Sequence, residues 1–513
     1  MNRASQTGFI LITGSTGFVG HYLVAELLRR GRRCAVLLRP PLVGSLGRLG
    51  ALLGELGVDA ASAMAEERLV GLEGDLAEGT LPGDRWSIDA VVHAAAVTAF
   101  EPDAAGEPYR TNVRGTRHLL DWASSRGIAD LHLVSSAYSC GRVDRPVAER
   151  FNARPDGFHN AYEDSKHQAE RCCLDWGRGG PRRVTLHRPS VVVGEWGTGR
   201  ATKFGGFYLS ARAAEFLDRS FPDRLDPRRM NIPLRLKGRP GECQNIVPVD
   251  YVAGMIAAIV TEPARHGRVY HLVHPDPPSN ARIKSAFEHY FGIAGGRFVP
   301  PEDFDAFDLN EYERRFYEIS RPIEHYFLDT PTFLRDQTAT VEAQTGIGCP
   351  AFDLAAIERL LAYAQSAQWG RRRRPPGMTP GCALYFEAFL PAHVGRSQVA
   401  RMTALSAVMR FIIEDEPDGE WVCRFDGGRL STVHRGRNGL PEQFGYRTTR
   451  EVFWEAVSGR VPPQDLFLSG RAEVFGDVER ALKMAMILHA FTREFPCTPA
   501  VLAGLGRSSC SST

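Results

Sequence analysis

The sequence predicts an α/β fold: a doubly wound parallel sheet with a smaller second lobe, followed by a separate α+β module. Three observations predict it. From Phe9 to Val193, short apolar or β-branched runs alternate with amphipathic helical patterns. A glycine-rich turn, Thr13 to Gly20, joins the first of these strands to the first helix. At Arg371-Arg372-Arg373-Arg374-Pro375-Pro376 the pattern breaks, and a different order of elements begins beyond it.

The strands expected in the first part are Phe9–Thr13, Cys34–Leu38, Ala90–His93, Leu131–Ser135 and Val184–His187; the helices are His21–Arg30, Arg114–Arg126 and Ala161–Trp176. Such alternation argues for right-handed βαβ units covered on both faces. From Gly194 to about Gly295 the pattern is less regular, with a helix over Val252–Val260 and a strand over Val269–Val273. Residues 301–370 are charged, aromatic and helix-like, an extension to which pattern alone gives no role. The division expected is residues 1–300 for the first domain, 301–370 for that extension, 371–380 for an exposed Arg/Pro linker, and 381–513 for the C-terminal module.

A chain of 513 residues exceeds one ordinary core. Its 43% hydrophobic and 24% charged content is globular, and a net charge of +2 gives no field for nucleic acid. Ten cysteines without a C-x-x-C pair suggest neither a disulfide framework nor a metal site, and reduced thiols point to a cytoplasmic protein. No signal peptide fits Met1–Gly8, and no apolar run approaches the roughly 18 residues of a membrane helix, so membrane contact would be peripheral at most. The ending Cys510-Ser511-Ser512-Thr513 lacks the aliphatic residues of a prenylation box.

Thr13-Gly14-Ser15-Thr16-Gly17-Phe18-Val19-Gly20 sits where a dinucleotide-binding turn belongs, after a strand and opening a helix. Glycines let a pyrophosphate approach the main chain, and the helix start offers N–H groups and positive potential. The next strand, Cys34–Leu38, runs into Arg39-Pro40 with no carboxylate to accept from an NAD ribose. Arg39, helped by Arg32 or Arg33, instead suits the extra phosphate of NADP(H). Tyr162 and Lys166 stand four apart at a helix start, sharing one face. An ammonium beside a phenol is expected to lower its pKa and bring its proton into working range, while a serine hydroxyl from Ser135-Ser136 donates to a reacting carbonyl.

In their order along the chain, Thr13–Gly20, Gly74-Asp75-Leu76, His93-Ala94-Ala95-Ala96, Asn112–Thr116, Ser135-Ser136-Ala137, Tyr162 to Lys166 and Arg188-Pro189-Ser190 resemble the extended short-chain dehydrogenase/reductase family, over about Phe9 to Ala258. The resemblance implies a Rossmann-type fold with Ser136, Tyr162 and Lys166 catalytic. It also implies Asp75 and Leu76 at the adenine, Lys166 at the nicotinamide ribose, and His93, Ala94, Ala95, Asn112, Arg188 and Pro189 lining the cofactor. Leu37–Pro40, Val91–Phe100 and Asn245–Val252 are similar to the fatty acyl-CoA reductases and thioester-reductase domains. That branch implies NADPH-dependent reduction of an acyl thioester, on CoA or an acyl carrier protein, to aldehyde or alcohol. A reductase of a steroid, polyketide or other lipid ketone, or a sugar-nucleotide epimerase, would share every catalytic residue named, and a non-catalytic lipid carrier is a further alternative.

Beyond the linker, strands are expected at Trp421–Phe425 and Leu430–Val433 around an Asp426-Gly427-Gly428 turn, then a helix over Thr448–Val457. A strand from Gly470 to Asp477 and a helix from Val478 to about Phe491 follow. This order resembles the sterol-carrier-protein fold, best from Trp421 to Leu488, which implies a lipid-binding module. Phe453, Trp454, Val457, Phe467, Leu482, Met486 and Phe491 are apolar at matching spacing, most of them core residues.

Overall fold

The computed structural model describes residues 8–370 apart from 84, 144–145, 153–154, 221–231 and 329–330, and residues 382–497 apart from 404–405, 417, 428, 437–441 and 460. The arginine-proline stretch and the C-terminal Cys510–Thr513 lie outside the described residues. The chain divides into two compact units, Met1–Arg371 and Arg372–Thr513.

The first unit is built on strands β1 (Phe9–Thr13), β2 (Cys34–Leu38), β3 (Leu69–Glu73), β4 (Ile88–His93), β5 (Asp130–Val134) and β6 (Arg183–Pro189). The short strands β7 (Val191–Val193), β8 (Arg235–Lys237) and β9 (Ile246–Pro248) precede β10 (Val269–Leu272), and β11 (Arg297–Val299) closes the set. Seven of them form one parallel sheet in the order β10-β6-β5-β4-β1-β2-β3. Its strands read as unbroken apolar runs because both faces are covered. Ile10 and Ile12 of β1 enter one core with helices Phe18–Arg29 and Val249–Val260, whereas Phe9 and Leu11 enter the opposite core with Gly115–Ser125 and Ala161–Gly177. The period of two along a strand feeds the two layers alternately. Strand order reverses between β1 and β4, where open α/β sheets bind ligands beyond their carboxyl ends.

The edge strand β3 has no counterpart in the sequence reading. Gly71 at its centre breaks the β-rich pattern, and the Leu46 side chain fills the space where a Cβ would stand. The second lobe pairs β8 with β11 and β7 with β9, and is packed by helices Phe207–Ser220, Asn280–Phe291, Glu311–Ser320 and Leu354–Ser366. Residues 301–370 therefore belong to the first unit.

In the second unit β12 (Ala407–Ile413), β13 (Glu420–Asp426), β14 (Arg429–Arg435), β15 (Phe444–Thr448) and β16 (Ala472–Gly476) form a mixed sheet ordered β14-β13-β12-β15-β16. Its central strand β12 runs parallel to β15 and antiparallel to β13. Aromatic side chains fill its core, Phe386 stacking on Trp421 at 4.6 Å between ring centres, and helices Arg450–Val457 and Val478–Glu494 contribute Phe453, Trp454 and Phe491. Met486, by contrast, is exposed. Among the described residues no helix is long and apolar enough to cross a membrane.

Candidate active site

The glycine turn forms at the carboxyl end of β1. Gly14 has φ +70°, a region open to glycine at little cost, and a Cβ there would stand 2.6 Å from the Ala95 backbone. A Cβ on Gly20 would lie 2.1 Å from the Gly14 carbonyl oxygen. The turn is thus pressed against both Ala94-Ala95 and its own helix. Gly17 begins that helix without any side-chain cap, so the first-turn N–H groups have no such acceptor. The Ser15 hydroxyl is fully buried with no partner among the described residues. Unused donors at a positive helix end, over backbone bare of side chains, fit a pyrophosphate. Thr16, Phe18 and Val19 are half-buried around this cradle. His21, which sequence reading passed over, holds the turn: its ring Nδ1–H donates to the Gly17 carbonyl at 2.7 Å.

His93 ends β4 directly opposite Thr13. Its Nδ1 lies 2.8 Å from the Thr13 hydroxyl and its Nε2 2.9 Å from that of Thr116. The Thr116 hydroxyl donates to the Asn112 carbonyl and the Ala95 N–H donates to Thr13 Oγ1. The only consistent assignment puts the proton on Nε2 and leaves Nδ1 accepting. Burial pushes its pKa down to about 3, assisted by the Lys166 charge, so the ring stays neutral. Both nitrogens are occupied, and His93 serves as a strut beneath the cradle, where a direct cofactor contact had been expected. Asn112 lies in a π-helical turn, Arg110–Arg114. Its side chain clamps Val97 through both backbone groups (2.8 and 2.9 Å) and donates to Ser165 at 2.9 Å. Ser165 in turn donates to the Tyr162 carbonyl.

Ser136 follows β5, and helix Ala161–Gly177 starts at Asn160, whose side chain caps the Glu163 N–H at 3.0 Å. This brings the Ser136 hydroxyl, which accepts from the Tyr138 N–H at 3.2 Å, close enough to the Tyr162 phenol to ease its ionisation. The Lys166 ammonium is buried one turn on and donates to the Val134 carbonyl at 2.7 Å. The expected electrostatics are corrected here. Burial pushes the Tyr162 phenol up to about 12, relieved by Ser136 and increased by Glu163, and Lys166 does not offset it. Burial also lowers Lys166 to about 8. In this state the phenol keeps its proton at neutral pH, as a proton donor must.

Other expected residues are spread around these. Arg39 is exposed at the carboxyl end of β2, on the glycine-turn side of the sheet. Arg32 and Arg33 precede β2 and so stand at the opposite edge; Arg33 lies over the Phe9 ring at 4.0 Å. They cannot assist Arg39. Asp75 holds its turn through one carboxylate oxygen, which accepts from the Ala77 N–H at 2.8 Å, and Leu76 is buried against Gly115. Arg188 is a correction. It is fully buried, makes a bidentate pair with buried Glu170 (2.8 and 2.6 Å), and spends its remaining nitrogen on the Arg150 carbonyl. It braces β6, which ends at buried Pro189, against helix Ala161–Gly177, and its burial and its pairing with Glu170 give it a structural role.

The extension supplies what sequence reading missed. Tyr326 packs edge-on against Tyr138 at 4.7 Å and its hydroxyl accepts from Asn160. His325 stacks on His159 at 4.7 Å and lies 3.6 Å from Glu163. Tyr138, His159, Glu163, His325 and Tyr326, with Gly141 and Arg142, line a small pocket at the start of helix Ala161–Gly177. Nothing local in residues 301–370 signals this, because the contacts span more than 160 residues.

Residues 12–256 match the NAD-binding family described as male sterility protein, and residues 387–489 match the SCP-2 sterol transfer family. Over 296 residues the chain is 29% identical to a non-canonical nonribosomal peptide synthetase, FrzA, from Cladobotryum sp, covering 52% of this chain and 26% of that protein. Over 299 residues it is 29% identical to glycine betaine reductase ATRR of Emericella nidulans, covering 54% and 22%. The chain thus spans about a quarter of the length of these curated relatives. A solved thiolation-reductase di-domain from an archaeal nonribosomal peptide synthetase superposes with a TM-score of 0.56 at 21% identity, covering 71% of this chain and 76% of that one, a likeness of fold.

Proposed function

We propose, for a chain that joins an extended short-chain dehydrogenase/reductase domain at residues 12–256 to a sterol-carrier domain at residues 387–489, the NADPH-dependent reduction of a lipophilic acyl thioester. The observation that carries this reading is the approach of the Ser136 hydroxyl to the Tyr162 phenol, at the same carboxyl end of the sheet as the glycine cradle, with the phenol held protonated. A reduced nicotinamide dinucleotide, its pyrophosphate cradled by residues 13–20, would supply a hydride when bound. Ser136 donates to the thioester carbonyl oxygen, and Tyr162 passes its proton to that oxygen as negative charge develops there. Collapse of the tetrahedral species returns the hydroxyl proton to Tyr162 as the carbonyl re-forms and breaks the carbon–sulfur bond; the departing thiolate takes a proton from water, leaving an aldehyde that a second round with a second reduced dinucleotide converts to alcohol. Lys166, anchored on Val134, keeps two further N–H donors for a ribose. Arg39, exposed with no carboxylate beside it in sequence, favours the phosphorylated dinucleotide.

The kinship with peptide-synthetase and thiolation-reductase proteins supports a thioester on CoA or a carrier protein as substrate. The second unit holds or delivers a lipid, and its tether raises the local concentration of a poorly soluble acyl group without new contacts. The test is Tyr162→Phe assayed with NADPH and decanoyl-CoA. Losing a positioned proton donor should lower kcat by about 10²–10⁴-fold, with NADPH binding retained. Equal NADPH oxidation by both proteins, or none by either, refutes the reading.

A further inference from the structure

The second lobe encloses a cavity of about 100 Å³ whose wall is almost wholly apolar. Helix Phe207–Ser220 contributes Ala214 and Leu217, helix Asn280–Phe291 contributes Ile283 and Phe287, and Phe316 and Phe327 come from the extension. The charged side chains at its edge are spent on one another. Lys237 pairs with Glu324 at 2.6 Å and Lys284 with Glu288 at 2.7 Å. Gln244 donates to Asn280, and the Tyr317 hydroxyl donates to the Arg235 carbonyl while accepting from the Lys237 N–H. One polar group is left over. The Ser210 hydroxyl, in a side chain 4% exposed, lines the cavity without a partner among the described residues. A charged ligand would find no unpaired counter-ion here, and burying it would cost several kcal/mol.

The position of the cavity says what fills it. Glu324 and Phe327 line it, while the two residues between them, His325 and Tyr326, line the pocket at the start of the catalytic helix. A single helical turn separates the compartments, with 324 and 327 on one face and 325 and 326 on the other. The same turn is pinned by Asn160 on the catalytic side, which donates to the Tyr326 hydroxyl at 3.2 Å, and by Asn280 on the cavity side, which donates to the Phe327 carbonyl at 3.0 Å. We propose that this cavity is the binding site for the hydrocarbon chain of the acyl substrate, an uncharged aliphatic chain that carries at most one hydrogen-bonding group, opposite Ser210. The inference rests on the reading of the protein as a reductase of acyl groups. With a water-sized sphere needing roughly 10–15 Å³ of such volume, the space admits on the order of seven to ten methylene-sized groups.

The experiment uses the full chain and the butanoyl-, octanoyl- and dodecanoyl-CoA thioesters. Each methylene buried should raise kcat/KM about fourfold, chiefly through KM, until the cavity is full. Ala214→Phe, which occupies the cavity, should flatten the rise; Phe287→Ala, which enlarges it, should move the optimum to longer chains. A thermal unfolding transition that NADPH still shifts upward shows that each variant is folded. A chain-length profile that Ala214→Phe leaves unchanged overturns the proposal while sparing the thioester chemistry. Equilibrium dialysis with radiolabelled decanol separates the two ideas further. The wild type should bind one equivalent more than Ala214→Phe even if no thioester is reduced, and equal stoichiometry removes the site.

Discussion

Replacing Lys166 should stabilise the protein. Lys166 is buried, and burial lowers its pKa from 10.5 to about 8, so the folded state holds a charge it disfavours at neutral pH. One pH unit corresponds to about 1.4 kcal/mol, which sets the cost at about 3 kcal/mol. Lys166→Met removes that cost but strips the Val134 carbonyl of its 2.7 Å donor, a loss of about 1–3 kcal/mol. The net gain is on the order of 1 kcal/mol near neutrality. Its sign is checked by pH. Below about 8 both folded and unfolded lysine are charged, and the wild type carries the full penalty. Between about 8 and 10.5 the unfolded state holds the extra proton, so wild-type stability rises with pH and the variant's advantage fades. The assay is thermal unfolding from near-neutral pH to about 10.5, reading the transition that NADPH shifts upward and so assigning it to the first unit. A variant less stable than wild type by several kcal/mol at neutral pH, or an advantage that does not shrink on raising the pH, would refute the reasoning.

Two further outcomes follow from the same geometry. Glu170→Gln leaves Arg188 charged and buried without its counter-ion, and should destabilise the first unit by about 3–5 kcal/mol by denaturant titration; a change below about 1 kcal/mol would mean the pair is solvated. Arg39→Ser should raise the KM for NADPH about 10–100-fold, the worth of about 1.5–3 kcal/mol for a hydrogen bond to a charged group, with little change for NADH, and equal loss with both cofactors would remove Arg39 from the phosphate.

The parts of this protein that sequence exposes are those whose causes are local. The glycine turn is legible because φ +70° at Gly14 and the tight approach at Gly20 both demand glycine within a few residues of a strand end. Strands β1, β2, β4, β5 and β6 announce themselves as apolar runs because two covered faces require it. Roles set by long-range packing are hidden. Arg188 looked like a ligand to the cofactor, yet its environment is decided by Glu170 and Arg150, neither adjacent in sequence. His325 and Tyr326 reach Asn160, the cap of helix Ala161–Gly177, only because the extension folds back onto the lobe. Strand β12 passed unnoticed although it is the centre of the second sheet. Its buried Arg410 interrupts the apolar pattern, a position tolerable only because Glu420 and Glu442 pair with it at 2.7 and 3.1 Å.

The proton inventory of the site bears on the direction of the reaction. A dehydrogenase working at neutral pH needs its tyrosine partly ionised to accept a proton from an alcohol, whereas a reductase needs it protonated. With the phenol near 12, Tyr162 is almost entirely protonated at neutrality, and Glu163 one residue on adds to the bias. A tetrahedral oxyanion is basic enough to take a proton from such a phenol; a neutral alcohol cannot give one to it. The buried phenol is thus held as a proton donor, and a positive charge brought closer to it than Lys166 lies while bound to Val134 would favour its ionisation. The same burial that keeps the proton on Tyr162 lowers Lys166 to about 8. One buried environment thus leaves Tyr162 a phenol that can donate and Lys166 a cation held at some cost in stability.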